Sequence, residues 1–180
     1  MNRLLPDRVG SGLLDALYNK IHVVGGRAKR PPEVEVGDRL YAFDGERVTA
    51  TRVIRVFSYD VDEYLHIALD VYGAEKRLLV TPDSSLCVCG EGWSCAGTLR
   101  EGNSLLCTLC IPPDPSFPIR RPRSLIEKYG TRVMSVVRIR KRARVYSFEC
   151  VPHENYFVNY VLLHSCRVKN VKVLLNAVKL

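Results

Sequence analysis

The feature that most constrains this chain is a series of short apolar segments that alternate like β-strands and are divided by turn residues. Residues 48–59 alternate at a period close to two, and valine, leucine and tyrosine supply much of the apolar content. Such residues favour strands over helices. The pattern therefore predicts an all-β fold with non-local strand pairing. The predicted strands cover residues 39–43, 48–59, 64–71, 76–81, 132–138, 144–151, 156–164 and 168–175.

Turns, a helix and a linker divide these strands. The dipeptides at residues 44–45 and 72–73 both end in glycine, which predicts turns between neighbouring strands. Residues 10–20 carry leucines at helical spacing, at positions 13, 14 and 17, and predict a short helix. Residues 111–123 are rich in proline and predict an extended, exposed linker.

Length and composition fit one soluble domain. The chain has 180 residues, which is enough for a single core. No apolar run reaches the ~18–20 residues that a membrane span needs, and the first residues lack the apolar centre of a signal peptide. We therefore expect an intracellular protein, cytoplasmic or nuclear, with no membrane partner.

Five of the seven cysteines crowd between residues 87 and 110. Paired cysteines on tight turns are the usual ligands of a structural zinc ion, which takes four of them in a closed tetrahedron. The pattern predicts a small zinc-binding insert, and the alternative is a loop of reduced, unliganded cysteines. Disulfides would need an oxidising compartment that the sequence does not indicate. The predicted Zn²⁺ ligands are Cys89, Cys95, Cys107 and Cys110, with Cys87 as the substitute.

The net charge of +8 is concentrated in a basic run at residues 138–144. If this run formed one strand, four of its arginines would lie on the same face. This arrangement predicts a nucleic-acid surface, and Trp93 is a candidate for an exposed aromatic residue of that surface. The alternative is a solubilising hairpin with its turn at residues 141–143. Charge alone does not choose between them.

Four ordered segments are informative as a set: PPEVEVGDRLYAFDG, RLLVTPDSSLCV, RVYSFECVPHENYFVN and YVLLHSC. In this order they resemble the sequence blocks of the Hint superfamily, the fold of inteins and Hedgehog autoprocessing domains. The first is similar to a turn-strand-turn block of that family, the second resembles its Thr-x-x-His block, and the third and fourth resemble its two final blocks. Together they span most of residues 31–166 apart from the cysteine-rich insert. The resemblance implies a horseshoe-shaped Hint fold.

The resemblance also implies single-turnover autoprocessing, that is, protein splicing or cleavage. In inteins, a starting Cys or Ser attacks the preceding peptide carbonyl, and the Thr and His of the second block polarise that bond. The final Asn then cyclises with help from the preceding His, and the next residue accepts the acyl group. Such chemistry needs an activated nucleophile and a polarised carbonyl.

At the first junction, the resemblance maps the block Thr onto Thr81 and the block His onto Ser84, which cannot act as a base near pH 7. The starting residue maps onto Leu14, which is no nucleophile, and Ser11 lies three residues earlier. At the second junction, His164 matches the penultimate His and Cys166 the acceptor, whereas Ser165 stands in place of the cyclising Asn.

Two hypotheses follow for the function. The first is an intein-like autoprocessing domain, inactive or impaired, whose partners are host segments on either side. The second is a non-catalytic, zinc-stabilised Hint module that binds a protein or nucleic acid. A homing endonuclease insertion has no room in a chain of this length. The predicted boundaries are a flank at residues 1–14, a Hint-like domain at 15–166 with its insert at 87–110, and a flank or final strand at 167–180.

Overall fold

The computed structural model describes residues 8–9, 12–71, 73–107, 131–165 and 167–168. In this part of the chain, no helix is long and apolar enough to cross a membrane. Regular structure among the described residues consists of strands and two short 3₁₀ turns, Pro31–Glu33 and Ala96–Thr98. The strands are β1 (Arg8–Val9), β2 (Leu13–Leu14), β3 (Arg39–Phe43), β4 (Val48–Val61), β5 (Tyr64–Val71), β6 (Ala74–Val80), β7 (Ser85–Val88), β8 (Gly92–Cys95), β9 (Ser104–Leu105), β10 (Thr131–Ile139), β11 (Ala143–Val151), β12 (Asn155–Val158), β13 (Val161–His164) and β14 (Arg167–Val168).

Twelve of these strands form one antiparallel sheet. Its order is β12-β13-β7-β9-β10-β5-β6-β2-β11-β4-β3, and β8 pairs with β7 outside that path. The short strand β2 pairs with β6 through Leu13 and Val80, and with β11 through Leu13 and Tyr146. In this strand order, β2 thereby connects the group that runs from β12 to β6 with the group that runs from β11 to β3.

The two ends of the sheet approach each other and are joined by one side chain. The amide of Asn155, on β12, accepts a hydrogen bond from the backbone N–H of Phe43 at 2.8 Å and donates one to its carbonyl at 3.0 Å. A side-chain amide thus replaces a missing ladder rung between β12 and β3. The sheet consequently curves round on itself and covers an interior.

The interior contains two apolar clusters. The larger one includes Leu13, Leu65, Phe148 and Tyr156, and the rings of Phe148 and Tyr156 meet edge to face at 5.7 Å between centroids. Such pairs add stability beyond the area that they bury. The smaller cluster lies under β3 and the β12–β13 hairpin and contains Tyr41, Val48, Leu106, Phe157 and Leu162.

The all-β prediction is confirmed, and β3 and β5 have the predicted bounds. The short helix predicted within residues 10–20 is wrong, because Leu13 and Leu14 pair as β2 in the middle of the sheet and are buried. The main sheet therefore includes two residues that the predicted boundary assigned to the N-terminal flank. The proline-rich segment at residues 111–123 lies outside the described residues.

The single strand predicted at residues 156–164 is also wrong, because the chain reverses at Asn159 and Tyr160 to form β12 and β13. Both residues have positive φ, 48° and 68°. A two-residue hairpin needs this geometry, and glycine usually supplies its second position. A tyrosine there costs about 1–2 kcal/mol. Its ring packs against that of His22 at 4.6 Å, and its N–H donates to His22 Nε2 at 3.2 Å.

His22 should make the fold sensitive to mild acid. Burial lowers its pKa from 6.5 to about 4, so the unfolded chain takes up a proton that the folded chain excludes between these pH values. The neutral ring stabilises the fold above pH ~6.5, and roughly 2–3 kcal/mol of this contribution is lost as the pH falls toward 4.5. Urea unfolding at pH 7.5 and 4.5 should show a smaller pH loss in His22→Gln than in the native chain. Equal losses in both proteins would contradict this assignment.

Candidate functional site

Gly12, directly before β2, forms a hydrogen-bonded cluster with Thr81 and Ser84, which are distant from it in sequence. The backbone N–H of Gly12 donates to Thr81 Oγ1 at 3.3 Å and to Ser84 Oγ at 3.1 Å, and the two hydroxyls lie 3.0 Å apart. The carbonyl of Gly12 accepts the N–H of Thr81 at 2.9 Å. Thr81 and Ser84 are both buried. This cluster is built on the amide of the Ser11–Gly12 peptide bond.

The sequence positions these hydroxyls through a tight turn after β6. Pro82 follows Thr81, and the N–H of Ser84 donates to the carbonyl of Thr81 at 3.0 Å, which closes the turn. The carbonyl of Ser84 in turn accepts the N–H of Ala96 from the 3₁₀ turn after β8. Both hydroxyls are therefore held toward β2 by backbone contacts on two sides.

Gly12 leaves no room for a side chain. A Cβ added there would lie 2.7 Å from Thr81 Cγ2, 2.9 Å from Tyr59 Oη and 3.0 Å from Thr81 Oγ1. Carbon atoms in contact normally stay about 3.5–4.0 Å apart. The methyl group of Thr81 thus occupies the direction in which a residue at position 12 would extend.

A second cluster lies at the end of β13, around His164 and Ser165. Nδ1 of His164 is 2.7 Å from the carbonyl oxygen of Ser165. Because a carbonyl can only accept, Nδ1 carries the proton in this contact. That carbonyl belongs to the Ser165–Cys166 peptide bond, so His164 is placed to polarise it. The hydroxyl of Ser165 is buried, without a hydrogen-bond partner among the described residues.

Two neighbours, Trp93 and Glu154, orient the His164 ring. Trp93 on β8 meets it edge to face at 4.9 Å. The Glu154 carboxylate lies 4.0 Å from Nε2, and the carbonyl of Glu154 accepts the N–H of Ser165 at 2.8 Å. Trp93 is 43% exposed, so this side of the ring is close to solvent.

Both clusters lie near the strand pair β7–β13. Leu86, two residues after Ser84, pairs with Leu163, which directly precedes His164. Outside this pair, β1 and β14 form a separate two-stranded ladder in which Val9 faces Arg167. The segments that lead into Gly12 and out of Ser165 are therefore held side by side.

The structure brings together Thr81 with Ser84, and His164 with Ser165. Ser11 and Cys166 lie outside the described residues. The amide that Thr81 and Ser84 contact is that of Gly12, two residues before Leu14, which lies within β2. Motif matching could not identify Gly12, because a glycine offers no nucleophile. The leucines next to it also suggested a helix, although they form β2.

The described cysteines do not form a closed metal site. Among them and the other described His, Asp and Glu residues, no group of three could hold a metal ion. Cys87, on β7, and Cys89, directly after it, pack against the smaller apolar cluster. Cys107 is buried in the larger cluster, and Cys95 is exposed at the end of β8. Cys110 lies outside the described residues, so zinc stays a prediction.

The basic run forms a hairpin rather than one strand. β10 ends at Ile139 and β11 begins at Ala143, so the four-arginine face is wrong and the predicted turn is present. Arg138 pairs with Glu63 at 2.7 Å, while Arg142 and Arg144 bind the two oxygens of Asp60 at 2.8 and 2.6 Å. The hydrogen bond from Arg142 lowers the pKa of Asp60. Much of the charge is thus neutralised, and nucleic-acid binding here lacks structural support.

Comparison with known structures defines the class: the chain has the Hint fold of inteins. It is similar to a bacterial intein-like domain from Clostridium thermocellum, with 20% identity, a TM-score of 0.67, and coverage of 86% of this chain and 98% of that one. A mutant of an Ssp DnaB mini-intein variant is 12% identical, with a TM-score of 0.70 and coverage of 90% of this chain and 95% of that one. The DnaB intein of Synechocystis is 13% identical, with a TM-score of 0.64 and coverage of 87% of this chain and 99% of that one. No family model and no curated protein matches the sequence.

Substituting Gly12 by alanine should destabilise the fold because the new methyl group overlaps Thr81. We expect a loss of about 1–3 kcal/mol in the free energy of unfolding, as for overpacked cores. Gly26→Ala is the matched control, since its nearest atom would be Val23 Cγ1 at 4.0 Å. Adding Thr81→Ser to Gly12→Ala should recover part of the loss, because it removes Cγ2. Equal urea midpoints for Gly12→Ala and Gly26→Ala would show that position 12 is not closed.

Proposed function

We propose that this chain is an intein-derived Hint domain that keeps the polarising contacts of both splice junctions but lacks the groups that break them. The observation that carries this proposal is the Gly12 amide, held by Thr81 and Ser84 with no space for a side chain. Holding host segments together without excising itself is then the function of the domain.

The first junction supports the proposal through the identity of the contacted bond. In the resembled family, the second-block residues polarise the peptide bond before the starting nucleophile. Here Thr81 and Ser84 contact the N–H of the Ser11–Gly12 bond. Gly12 consequently stands in the starting position, where a thiol or hydroxyl is required. A nucleophile could not be restored by replacing Gly12 alone, because the Thr81 methyl group occupies the space that the new Cβ would need.

The second junction is nearer to a working arrangement. A protonated nitrogen of His164 lies on the Ser165 carbonyl at 2.7 Å, as expected for a group that polarises this bond. The serine has no side-chain amide to attack its own carbonyl. The missing component is therefore one functional group, while the surrounding geometry is in place.

The ladder between β1 and β14 supports host flanks as the partners. Arg8 faces Val168 and Val9 faces Arg167, so the chain enters and leaves the domain in adjacent antiparallel strands. A domain inserted between two segments of a host protein needs its ends close together. Such an insert keeps the segments in contact even when no peptide bond is exchanged.

We expect the native domain, expressed between two foreign proteins, to remain uncleaved. Ser165→Asn should add cleavage after residue 165 alone, because the new amide nitrogen can attack the adjacent polarised carbonyl. The bond from that nitrogen to the carbonyl carbon forms, the bond to Cys166 breaks, and the proton passes to the released amine. Denaturing intact mass over several days measures both products, and a thermal melt checks that the variant folds.

Two variants serve as controls for this test. Ser165→Ala removes the hydroxyl without adding an amide and should stay intact. Combining His164→Ala with Ser165→Asn should slow cleavage by about 10²-fold or more if the imidazole transfers or shares a proton. Spontaneous fragments of the native fusion at residues 11–14 or 165–166 would refute the proposal, as would cleavage of Ser165→Asn that does not depend on His164.

A structural zinc ion is a separate proposal for the insert. Cys87 lies on β7 and Cys89 directly follows that strand, and both side chains are only partly buried, which supports the proposal. Cys107 fits less well because it is fully buried among the larger apolar cluster. A closed thiolate site would stabilise the β7–β8 hairpin, which exposes most of its β8 strand.

Elemental analysis of the purified full chain tests this zinc proposal. The proposed ligands are Cys89, Cys95, Cys107 and Cys110, with Cys87 as the substitute. We expect one zinc ion per chain, with loss of metal in Cys89→Ser and in Cys95→Ser. Cys150→Ser is the matched control and should retain the metal, since Cys150 lies on β11, outside the insert. Absence of zinc from the native chain, or a loss of zinc in the control as large as in the ligand variants, would overturn the proposal.

A further inference from the structure

A cleft separate from both junctions lies beside the Asn159–Tyr160 turn. Its volume is about 810 Å³, which falls within the range of ~300–1,000 Å³ typical of small-ligand sites. It lies between the segment after β2, the start of β6 and this turn. Basic and aromatic side chains dominate its lining: Tyr18, Lys20, His22, Lys76, Arg77 and Tyr160.

The walls of the cleft are fixed by Asn159, which is buried. Its side-chain oxygen accepts the backbone N–H of Lys20 at 2.9 Å, and its amide donates to the carbonyl of Arg77 at 2.6 Å. One side chain thus holds two cation-bearing segments that are far apart in sequence. A site with fixed walls loses less conformational entropy on binding than a flexible one.

Two tyrosine rings stand at the edges of the cleft. Tyr18 is 52% exposed although the Arg77 guanidinium lies 5.2 Å from its ring centroid. The Tyr160 ring packs against His22. The backbone of Tyr160 has a positive φ, which glycine adopts without strain but tyrosine does not. Strained residues that persist in a fold cluster at ligand-binding sites. An exposed ring next to a guanidinium is a surface on which a planar base can stack.

The lining of the cleft carries three cations, Lys20, Lys76 and Arg77, and one carboxylate, Glu75, so its excess positive charge favours an anion. Lys20 and Lys76 are exposed, and neither takes part in an ion pair shown among the described residues. The Glu75 carboxylate lies 3.6 Å from the Arg77 guanidinium. The basic run at residues 138–144 differs, because its arginines are held by Asp60 and Glu63. Electrostatic attraction of phosphate groups should therefore be stronger at the cleft.

We propose that this cleft binds nucleoside phosphates, with the base against Tyr18 and the phosphates against Lys20 and Lys76. The source is either a free nucleotide or a short single strand of nucleic acid, which present the same chemistry. The cleft shares no residue with the Gly12 and His164 clusters. The proposal consequently does not depend on whether the junctions are active.

Isothermal titration calorimetry of the full chain at low salt tests this assignment. The probes are ATP, hexathymidylate, inorganic tripolyphosphate and an acidic peptide without aromatic residues. Saturable binding of ATP alone would identify a free nucleotide, and preference for hexathymidylate would identify a strand. We expect Tyr18→Ala to weaken binding by about fivefold or more through lost stacking. Lys76→Glu should weaken it by a similar factor through charge reversal.

Lys141→Glu makes the same charge change at the β10–β11 turn and is the matched control. Tyr160→Gly relieves the positive φ and should weaken binding without lowering the melting temperature. The proposal is overturned if neither nucleotide probe binds, if tripolyphosphate or the acidic peptide binds as tightly, or if Lys141→Glu weakens binding as much as Lys76→Glu. It is also overturned if Tyr18→Ala binds like the native chain.

Discussion

The pairing of the two-residue strand β2 with both β6 and β11 is the interaction on which the rest of the structure depends. Leu13 is fully buried, pairs with Val80 on one side and Tyr146 on the other, and packs into the larger core. Without it, the strand order would separate into β12 to β6 and β11 to β3. The position of Gly12, next to Leu13, is therefore fixed by the packing of the whole sheet.

Under the proposed function, this constraint explains why the first junction would keep its shape without a nucleophile. The hydroxyls of Thr81 and Ser84 bind the Gly12 amide inside the protein, where an unpaired N–H would cost about 1–3 kcal/mol. These hydrogen bonds stabilise the fold whether or not position 12 carries a nucleophile. With glycine at that position, the Thr81 methyl group fills the adjoining space. The structural role of this contact is therefore sufficient to explain its presence.

The sequence predicted the parts of the molecule that depend on local pattern. The bounds of β3 and β5 followed from alternation of apolar residues and from glycine turns. It failed where tertiary contacts override such patterns: the leucines at 13 and 14 suit a helix but are buried in a sheet, and Tyr160 has a positive φ that no propensity favours. The family resemblance singled out His164, which contacts the Ser165 carbonyl, and its role in cleavage stays a prediction. Gly12 could not be singled out in this way because it has no functional side chain.

The intact geometry around His164 is compatible with a stable peptide bond. A donor on the Ser165 carbonyl lowers the barrier only for a nucleophile that reaches the carbonyl carbon. Ser165 is fully buried, which limits the access of water to this point. A hydrogen bond to an unreactive carbonyl also orders the ring between Trp93 and Glu154. Without an attacking group, this hydrogen bond thus acts as a structural contact, and under the proposed function the same geometry supports cleavage once an amide is supplied.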